Sequence, residues 1–157
     1  DNEMMTGVDG IFAAGNVSTV FDLVDYVSMT GEIAARGAYE YITKKKEFYE
    51  KINLKQGKNV NFLIPMSYRL DSKNCNLFFR PSKVIEKGKV VIAIGNKVLY
   101  ERKYQILRPQ EMIHVKMTED SIQKINQIVC GELSRDTSKE LSVDVSIFEE
   151  SEGKKLR

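Results

Sequence analysis

The amino-acid sequence predicts an α+β fold: a strand–turn–helix unit followed by a small antiparallel β-sandwich or barrel that contains one helix. Two observations favour this order. Apolar residues recur at helical spacing between about residues 22 and 43, and from residue 60 onward short apolar runs are separated by turn residues. A chain of 157 residues is long enough for one ordinary domain, or for one small domain with an additional unit.

The N-terminal unit is predicted to start with a turn and a short strand. Val8-Asp9-Gly10 is typical of a tight turn, and Ile11 to Ala14 form an apolar run suited to a strand buried on both faces. A helix is predicted from about Asp22 to Thr43, with Asp22 as N-cap or first-turn acid and Gly31 placed to divide it into two pieces. Such a unit cannot bury its own faces, which indicates that it packs on further structure.

Six strands and one helix are predicted beyond this unit. Alternating apolar residues and turn signals place the strands at Val60–Ile64, Cys75–Arg80, Lys89–Ile94, Val98–Leu107, Glu111–Met117 and Leu141–Phe148. Thr118 is suited to cap a helix that Gly131 ends, and Gly95-Asn96 predicts a hairpin turn.

The charge of the chain changes sign where the two predicted units meet. Residues 1–42 carry seven acidic side chains and one basic side chain, a net charge of −6, whereas the remainder carries 23 basic and 15 acidic side chains, a net charge of +8. The change falls at Lys44-Lys45-Lys46. We therefore predict a first unit at 1–43, a linker at 44–58, a β-rich domain at 59–150 and a loose tail at 151–157.

Composition argues against several classes of function. The basic residues beyond position 42 are scattered among acidic ones without an aromatic-basic motif, so nucleic acid is not an expected partner. No apolar run approaches the length of a membrane-spanning helix, so no membrane association is expected. Cys75 and Cys130 lie far apart and are expected to be free thiols, which favours a cytoplasmic protein.

Few residues are candidates for catalysis or metal binding. His114 is the only histidine and no GxSxG motif accompanies it, so it is expected to be an ordinary strand residue at the surface or partly buried. No cluster of Cys, His or carboxylates has the spacing of metal ligands. Asp22 and Asp25 lie about one helical turn apart, and two interpretations stay open: a solvated or capping pair, and residues of a cofactor or substrate site.

Residues 6–42 carry the most specific motif of the chain. They read Thr6-x-x-x-Gly10-Ile11-Phe12-Ala13-Ala14-Gly15-Asn16-Val17, followed by Gly31-Glu32-Ile33-Ala34-Ala35 and, near the end, Tyr41-Ile42. This order and spacing resemble the closing FAD motif of the pyridine nucleotide-disulfide oxidoreductase superfamily, to which the thioredoxin reductase-like flavoproteins belong. The resemblance covers roughly a quarter of the chain and includes the alanine-rich helix after the motif.

The resemblance implies a set of cofactor-binding residues. Gly15 would let the flavin chain approach the backbone, and Asn16, followed by Val17, occupies the position of the family's ribityl-binding aspartate. The start of the helix near Leu23 and Val24 would face the flavin ring, where the N-terminal amides stabilise negative charge. No catalytic residue and no metal ligand is expected within this sequence.

The sequence departs from the family pattern in two ways. Asn16 stands in place of the aspartate, and an amide can donate and accept hydrogen bonds but carries no charge. The GxGxxG motif that FAD binding also requires is absent, as is a redox CxxC pair. The resemblance therefore implies a C-terminal fragment of an FAD/NAD(P)-dependent oxidoreductase, inactive alone, whose upstream FAD and NAD(P) domains lie outside this sequence.

Two functions follow as hypotheses. In the first, the parent passes electrons between a nicotinamide cofactor, FAD and an acceptor, and the β-rich domain supports oligomerisation, covers the active site or docks a partner subunit. In the second, the β-rich domain is a free-standing binding module without catalytic activity, and residues 1–42 are a helical appendage. The net charge of +8 beyond residue 42 would then serve an acidic partner.

Overall fold

The fold is α+β, as predicted, in a computed structural model that describes residues 1–44, 50–133 and 141–150. The helices are α1 (Val24–Lys44) and α2 (Glu119–Leu133), and a 3-10 turn at Gly15–Val17 precedes α1. The strands are β1 (Lys51–Gln56), β2 (Val60–Ile64), β3 (Ser67–Arg69), β4 (Asn76–Pro81), β5 (Ile85–Ile94), β6 (Lys97–Leu107), β7 (Ile113–Lys116) and β8 (Ser142–Glu149).

The strands form two sheets. One has five strands in the order β3-β1-β8-β5-β6, and the other has three in the order β2-β4-β7. Between the strands of the described residues every pairing is antiparallel, except that β1 and β8 run parallel. The predicted hairpin joins β5 to β6: Ile94 pairs with Lys97, and Gly95 adopts φ +53°, which glycine accepts without strain.

The main hydrophobic core lies between the two sheets. Because side chains alternate across a strand, every second residue of β4 and of β8 points into this core. Its members include Leu77 and Phe79 of β4, Val143, Val145 and Ile147 of β8, and Ile122, Ile125 and Val129 of α2. The alternation predicted for the last strand is confirmed, and one face of α2 supports the same core.

A second hydrophobic cluster joins the N-terminal unit to the outer face of the three-stranded sheet. Phe78 of β4 points away from the main core and packs with Met4, Phe21, Ile33 and Met112. The Phe78 ring lies 5.2 Å from the ring of Phe21, centroid to centroid, in an edge-to-face arrangement. Helix α1 is therefore a third layer on the sandwich.

The first residues of the chain are hydrogen-bonded to the β-rich domain. The side chain of Asn2 accepts a bond from the backbone N–H of Arg69 and donates one to the carbonyl of Asn74, both at 2.8 Å. The hydroxyl of Ser72 donates to Oε1 of Glu3 at 2.6 Å. Asn2 and Glu3 are both buried, so residues 1–5 belong to the packed structure.

The stability of the protein is expected to depend on pH through the buried carboxyl of Glu3. Burial raises the pKa of its carboxyl above 4.5, against the opposing effects of Ser72 and Arg69. As the pH rises, the unfolded chain releases this proton first, so the contribution of Glu3 to stability is present below pH 4.5 and is lost as the pH passes the folded-state pKa. The Glu3→Gln variant keeps an acceptor for Ser72 but has no carboxyl to ionise. Its free energy of unfolding, relative to that of the unmodified protein, should therefore increase as the pH rises.

Urea denaturation at a series of pH values measures this difference. The matched control is Glu86→Gln, because Glu86 is exposed. A Glu3→Gln variant whose stability difference does not change with pH would contradict the assignment of a buried, destabilised carboxylate.

The structure corrects the predicted boundaries in the first third of the chain. Residues 44–58 were expected to be an irregular linker, but Lys51–Gln56 form β1, where Ile52 and Leu54 point into the core between exposed neighbours. The short strand β3 was also not predicted. The prediction of a strand at Ile11–Ala14 is wrong. Phe12 makes one isolated bridge with Met5, and none of the strands of the described residues pairs with this segment.

The two helices continue through glycines that were expected to interrupt them. Gly31 does not divide α1, and α2 passes Gly131 and ends at Leu133. Both glycines are followed by further helical residues, so the low helix propensity of glycine is outweighed by its neighbours. The predicted loose tail at 151–157 and residues 45–49 of the linker lie outside the described residues. Neither α1 nor α2, the helices of the described residues, is long and apolar enough to cross a membrane.

Candidate cofactor site at the start of helix α1

The 3-10 turn Gly15–Val17 is held against α1 by one buried hydroxyl. The backbone N–H of Gly15 donates to Oγ1 of Thr30 at 2.9 Å. Thr30 in turn donates to backbone carbonyls one turn earlier in α1, those of Tyr26 and Val27, each at 2.9 Å. The motif after the predicted strand is thus packed alongside the first turns of the helix that follows it.

The structure of the chain itself explains why position 15 is a glycine, without a ligand. Gly15 adopts φ +61°, a conformation that favours glycine, and a Cβ built on it would lie 3.0 Å from Cγ1 of Val27. Both features account for glycine at this position through contacts within the chain. The role of Gly15 in admitting a flavin remains a prediction.

The side-chain amide of Asn16 makes one hydrogen bond within the protein, through its oxygen. Its Oδ1 accepts a hydrogen bond from the backbone N–H of Phe21 at 3.3 Å, which closes the loop between the 3-10 turn and α1. The residue is exposed, and the amide nitrogen has no acceptor among the described residues. Two N–H donors of Asn16 are therefore available to a ligand hydroxyl.

Four apolar side chains are exposed between this turn and the helix. The exposed fractions are 84% for Val17, 71% for Val20, 51% for Leu23 and 74% for Val24. Single exposed apolar residues are ordinary on protein surfaces, but four among eight consecutive residues form a patch. This patch, with the unpaired amides at the start of α1, offers an apolar surface beside hydrogen-bond donors.

Asp22 fastens the candidate site to the β-rich domain. Its carboxylate pairs with the guanidinium of Arg80 and also accepts a bond from the backbone N–H of Met112. Arg80 donates in addition to the carbonyls of Val20 at 3.1 Å and Pro109 at 3.2 Å. Asp22 lies two residues before α1, so its role here is to hold the loop in place, whereas capping had been one expected role.

The partners of Asp22 could not be identified from local sequence pattern. The sequence places Arg80 and Met112 only within the predicted strands Cys75–Arg80 and Glu111–Met117, and they lie 58 and 90 residues from Asp22. Asp25 remains an exposed acid in the first turn of α1, where negative charge is favourable.

His114 is a half-buried residue of β7, as expected. Its Nε2 lies 2.9 Å from Oδ1 of Asn76, and its ring stacks on that of Phe78 at 4.7 Å. Burial, assisted by Lys116, lowers the pKa of the imidazole, so the neutral form is favoured at pH 7.

Cys75 and Cys130 are not joined in a disulfide, as expected. Cys75 is buried, which raises the pKa of its thiol to about 12, whereas Cys130 is exposed. No group of three or more His, Cys, Asp or Glu side chains in residues 1–44, 50–133 and 141–150 is placed to hold a metal ion.

Searches for similar proteins found no matching family model, no matching curated protein and no matching solved structure. A cofactor at this site is therefore supported by the residues described above and by no relative.

Proposed function

We propose that this chain is the C-terminal part of an FAD/NAD(P)-dependent oxidoreductase similar to the pyridine nucleotide-disulfide oxidoreductases. It contributes one side of the flavin site, together with an accessory β-rich domain, and is inactive alone. Upstream FAD and NAD(P) domains of the parent complete the enzyme, and NAD(P) binds outside this chain. When bound, FAD would supply the electron transfer.

The observation that carries this proposal is the exposed face of α1. One face of the helix is buried at Thr30, Ile33 and Gly37. Ile33 packs with Phe78 and Met112 of the β-rich domain, whereas Thr30 and Gly37 contact residues 1–15 of the N-terminal unit. The opposite face carries an uncharged stripe of exposed residues at helical spacing: Val24, Ser28, Gly31, Ala35, Tyr39 and Ile42. Val24, Tyr39 and Ile42 are each about 70% exposed.

A helix that is apolar on two opposite faces is typical of one packed between two layers. The sandwich is the first layer. The uncharged stripe has no partner among the described residues, and small residues such as Gly31 and Ala35 allow a second layer to approach closely. In the resembling family that layer is the sheet of the FAD domain, which supports its presence upstream in the parent.

The residues at the start of α1 fit a flavin on the same side. Asn16 would donate its free amide N–H groups to a ribityl hydroxyl, and Val17, Leu23 and Val24 would contact the ring system. The helix amides would stabilise negative charge on the ring carbonyl. Thr30, through Gly15, holds this arrangement before the ligand arrives.

The test uses the reading frame upstream of Asp1. We expect it to encode a strand followed by GxGxxG, and we expect the longer product to retain FAD through purification, measured by flavin absorbance. The isolated chain should bind FAD weakly or not at all. A start codon directly before Asp1 would overturn the proposal and favour the free-standing binding module.

Substitutions at Asn16 sharpen this test in the longer protein. Asn16→Ala should lower FAD affinity about tenfold, the effect of one lost hydrogen bond of roughly 1–1.5 kcal/mol. Asn16→Asp keeps the acceptor for Phe21 and restores the family residue, so affinity should be retained or increased. The control is Gln105→Ala, which removes an exposed amide from β6. An unchanged FAD affinity in Asn16→Ala would contradict the ribityl contact.

A further inference from the structure

A cleft with a volume of about 250 Å³ lies where the β-rich domain meets the start of α1. It runs along the edge of β7, between β6 and the helix. The residues that matter for its chemistry are Tyr26, Arg102, Tyr104, Ile106, Met112 and His114. Three of them carry flat rings, two are apolar, and one is permanently charged.

Arg102 stands on the core-facing side of the five-stranded sheet. It pairs across the strands with Val90, which is fully buried, and paired residues point to the same face. Tyr100 and Tyr104 flank it on that face, and its guanidinium carbon lies 5.3 Å from the centre of the Tyr104 ring. Arg102 is nevertheless exposed, so the space in front of it is open to solvent.

The cleft carries one uncompensated positive charge. No carboxylate of the described residues lies within ion-pair distance of Arg102, whereas Arg108 at the rim is paired with Glu111 at 2.9 Å. The pKa of His114 is lowered by burial, so its imidazole adds no charge at pH 7. Burial, together with Tyr100, raises the pKa of Tyr104 to about 12, so its phenol remains neutral.

We infer that this cleft binds a small monocarboxylate with a flat or branched apolar body. The guanidinium would hold the carboxylate by two parallel hydrogen bonds, the arrangement for which arginine is best suited. Tyr26, Ile106 and Met112 would contact the apolar body. The volume lies just below the roughly 300–1,000 Å³ typical of drug-sized ligands, which favours a small acid over a nucleotide. This inference does not depend on the proposed flavin function.

Binding of benzoate to the full chain, measured by calorimetry and by shifts of the β6 amide signals in NMR spectra, tests the inference. Benzamide has the same ring without the charge and should bind at least tenfold more weakly. Arg102→Gln should weaken benzoate binding at least tenfold, and Arg102→Lys should give an intermediate loss. The control is Lys103→Gln, which removes an equal charge from the other face of the same strand and should change the affinity less than twofold.

Each other outcome overturns the inference. Equal binding of benzamide would show an apolar cleft without carboxylate recognition. If Lys103→Gln weakens benzoate binding as much as Arg102→Gln does, the effect is one of net charge alone. If inorganic phosphate binds as tightly as benzoate and displaces it, the cleft is a general anion site. Absence of benzoate binding to a folded chain would exclude the ligand class. The comparison of benzoate with benzamide uses the unmodified protein, so it stands even where a variant fails to fold.

Discussion

Replacing Phe78 with alanine is expected to lower the free energy of unfolding by about 3–5 kcal/mol, the usual cost of removing a buried phenylalanine. Phe78 is fully buried and is the ring through which β4 contacts the N-terminal unit. It packs against the rings of Phe21, Tyr26 and His114 with centroid separations of 4.7 to 5.4 Å. The alanine variant loses these contacts and leaves a cavity between the sheet and α1.

Urea denaturation measures this cost, and limited proteolysis shows where it acts. The control is Tyr39→Ala, which truncates an aromatic residue of α1 that is 68% exposed, and which should change stability by no more than about 0.5 kcal/mol. Proteases should cleave α1 in the Phe78→Ala variant before the sandwich unfolds. A cost below about 1 kcal/mol would show that residues 1–44 are a loosely attached appendage, as the binding-module hypothesis assumed.

The second large effect is expected at Gly37. A Cβ at this position would lie 2.5 Å from the carbonyl oxygen of Glu3 and 3.1 Å from Cε1 of Phe12. Glu3 is hydrogen-bonded to the β-rich domain, so its backbone cannot move away without loss. Gly37→Ala should therefore destabilise the protein by about 1–3 kcal/mol, the usual cost of overpacking, despite the better helix propensity of alanine.

Gly31→Ala is the matched control in the same helix. Nothing lies within 4 Å of a Cβ built on Gly31, so the substitution should stabilise the isolated chain by up to about 1 kcal/mol. Thermal denaturation of both variants gives two shifts of opposite sign. Equal stabilisation by the two substitutions would mean that α1 does not approach residues 1–5 as closely as described.

Local pattern was sufficient for the elements that lie in the core between the sheets. The alternation around Val143 and the hairpin at Gly95-Asn96 are both governed by contacts within a few residues, and both predictions are confirmed. Strand β1 carries the same kind of signal, with Ile52 and Leu54 buried at every second position. Its charged neighbours obscured that signal, because lysines at exposed positions of a strand resemble a polar linker.

Contacts between distant parts of the chain could not be predicted. Asn2 binds Arg69 and Asn74, and Asp22 binds Arg80 and Met112. No periodicity in the sequence indicates which polar residues will meet across such separations. The cleft at Arg102 could not be predicted either, because a basic residue on a strand is expected to face solvent. Only the pairing with Val90 shows that Arg102 lies on the core-facing side.

The position of β8 has a consequence for the biosynthesis of this protein. Strand β8, the last strand of the described residues, occupies the centre of the five-stranded sheet, between β1 and β5. Its first residue, Ser142, pairs with Asn53 of β1. Until β8 has left the ribosome, the β1–β3 pair and the β5–β6 hairpin are separate, and the edges of β1 and β5 that β8 covers have no neighbour. Long-range pairing of this kind is slow, and unpaired edges promote aggregation. The five-stranded sheet is therefore expected to close only after β8 has been synthesised, and chaperones that shield strand edges should have their largest effect on the nascent chain before that point.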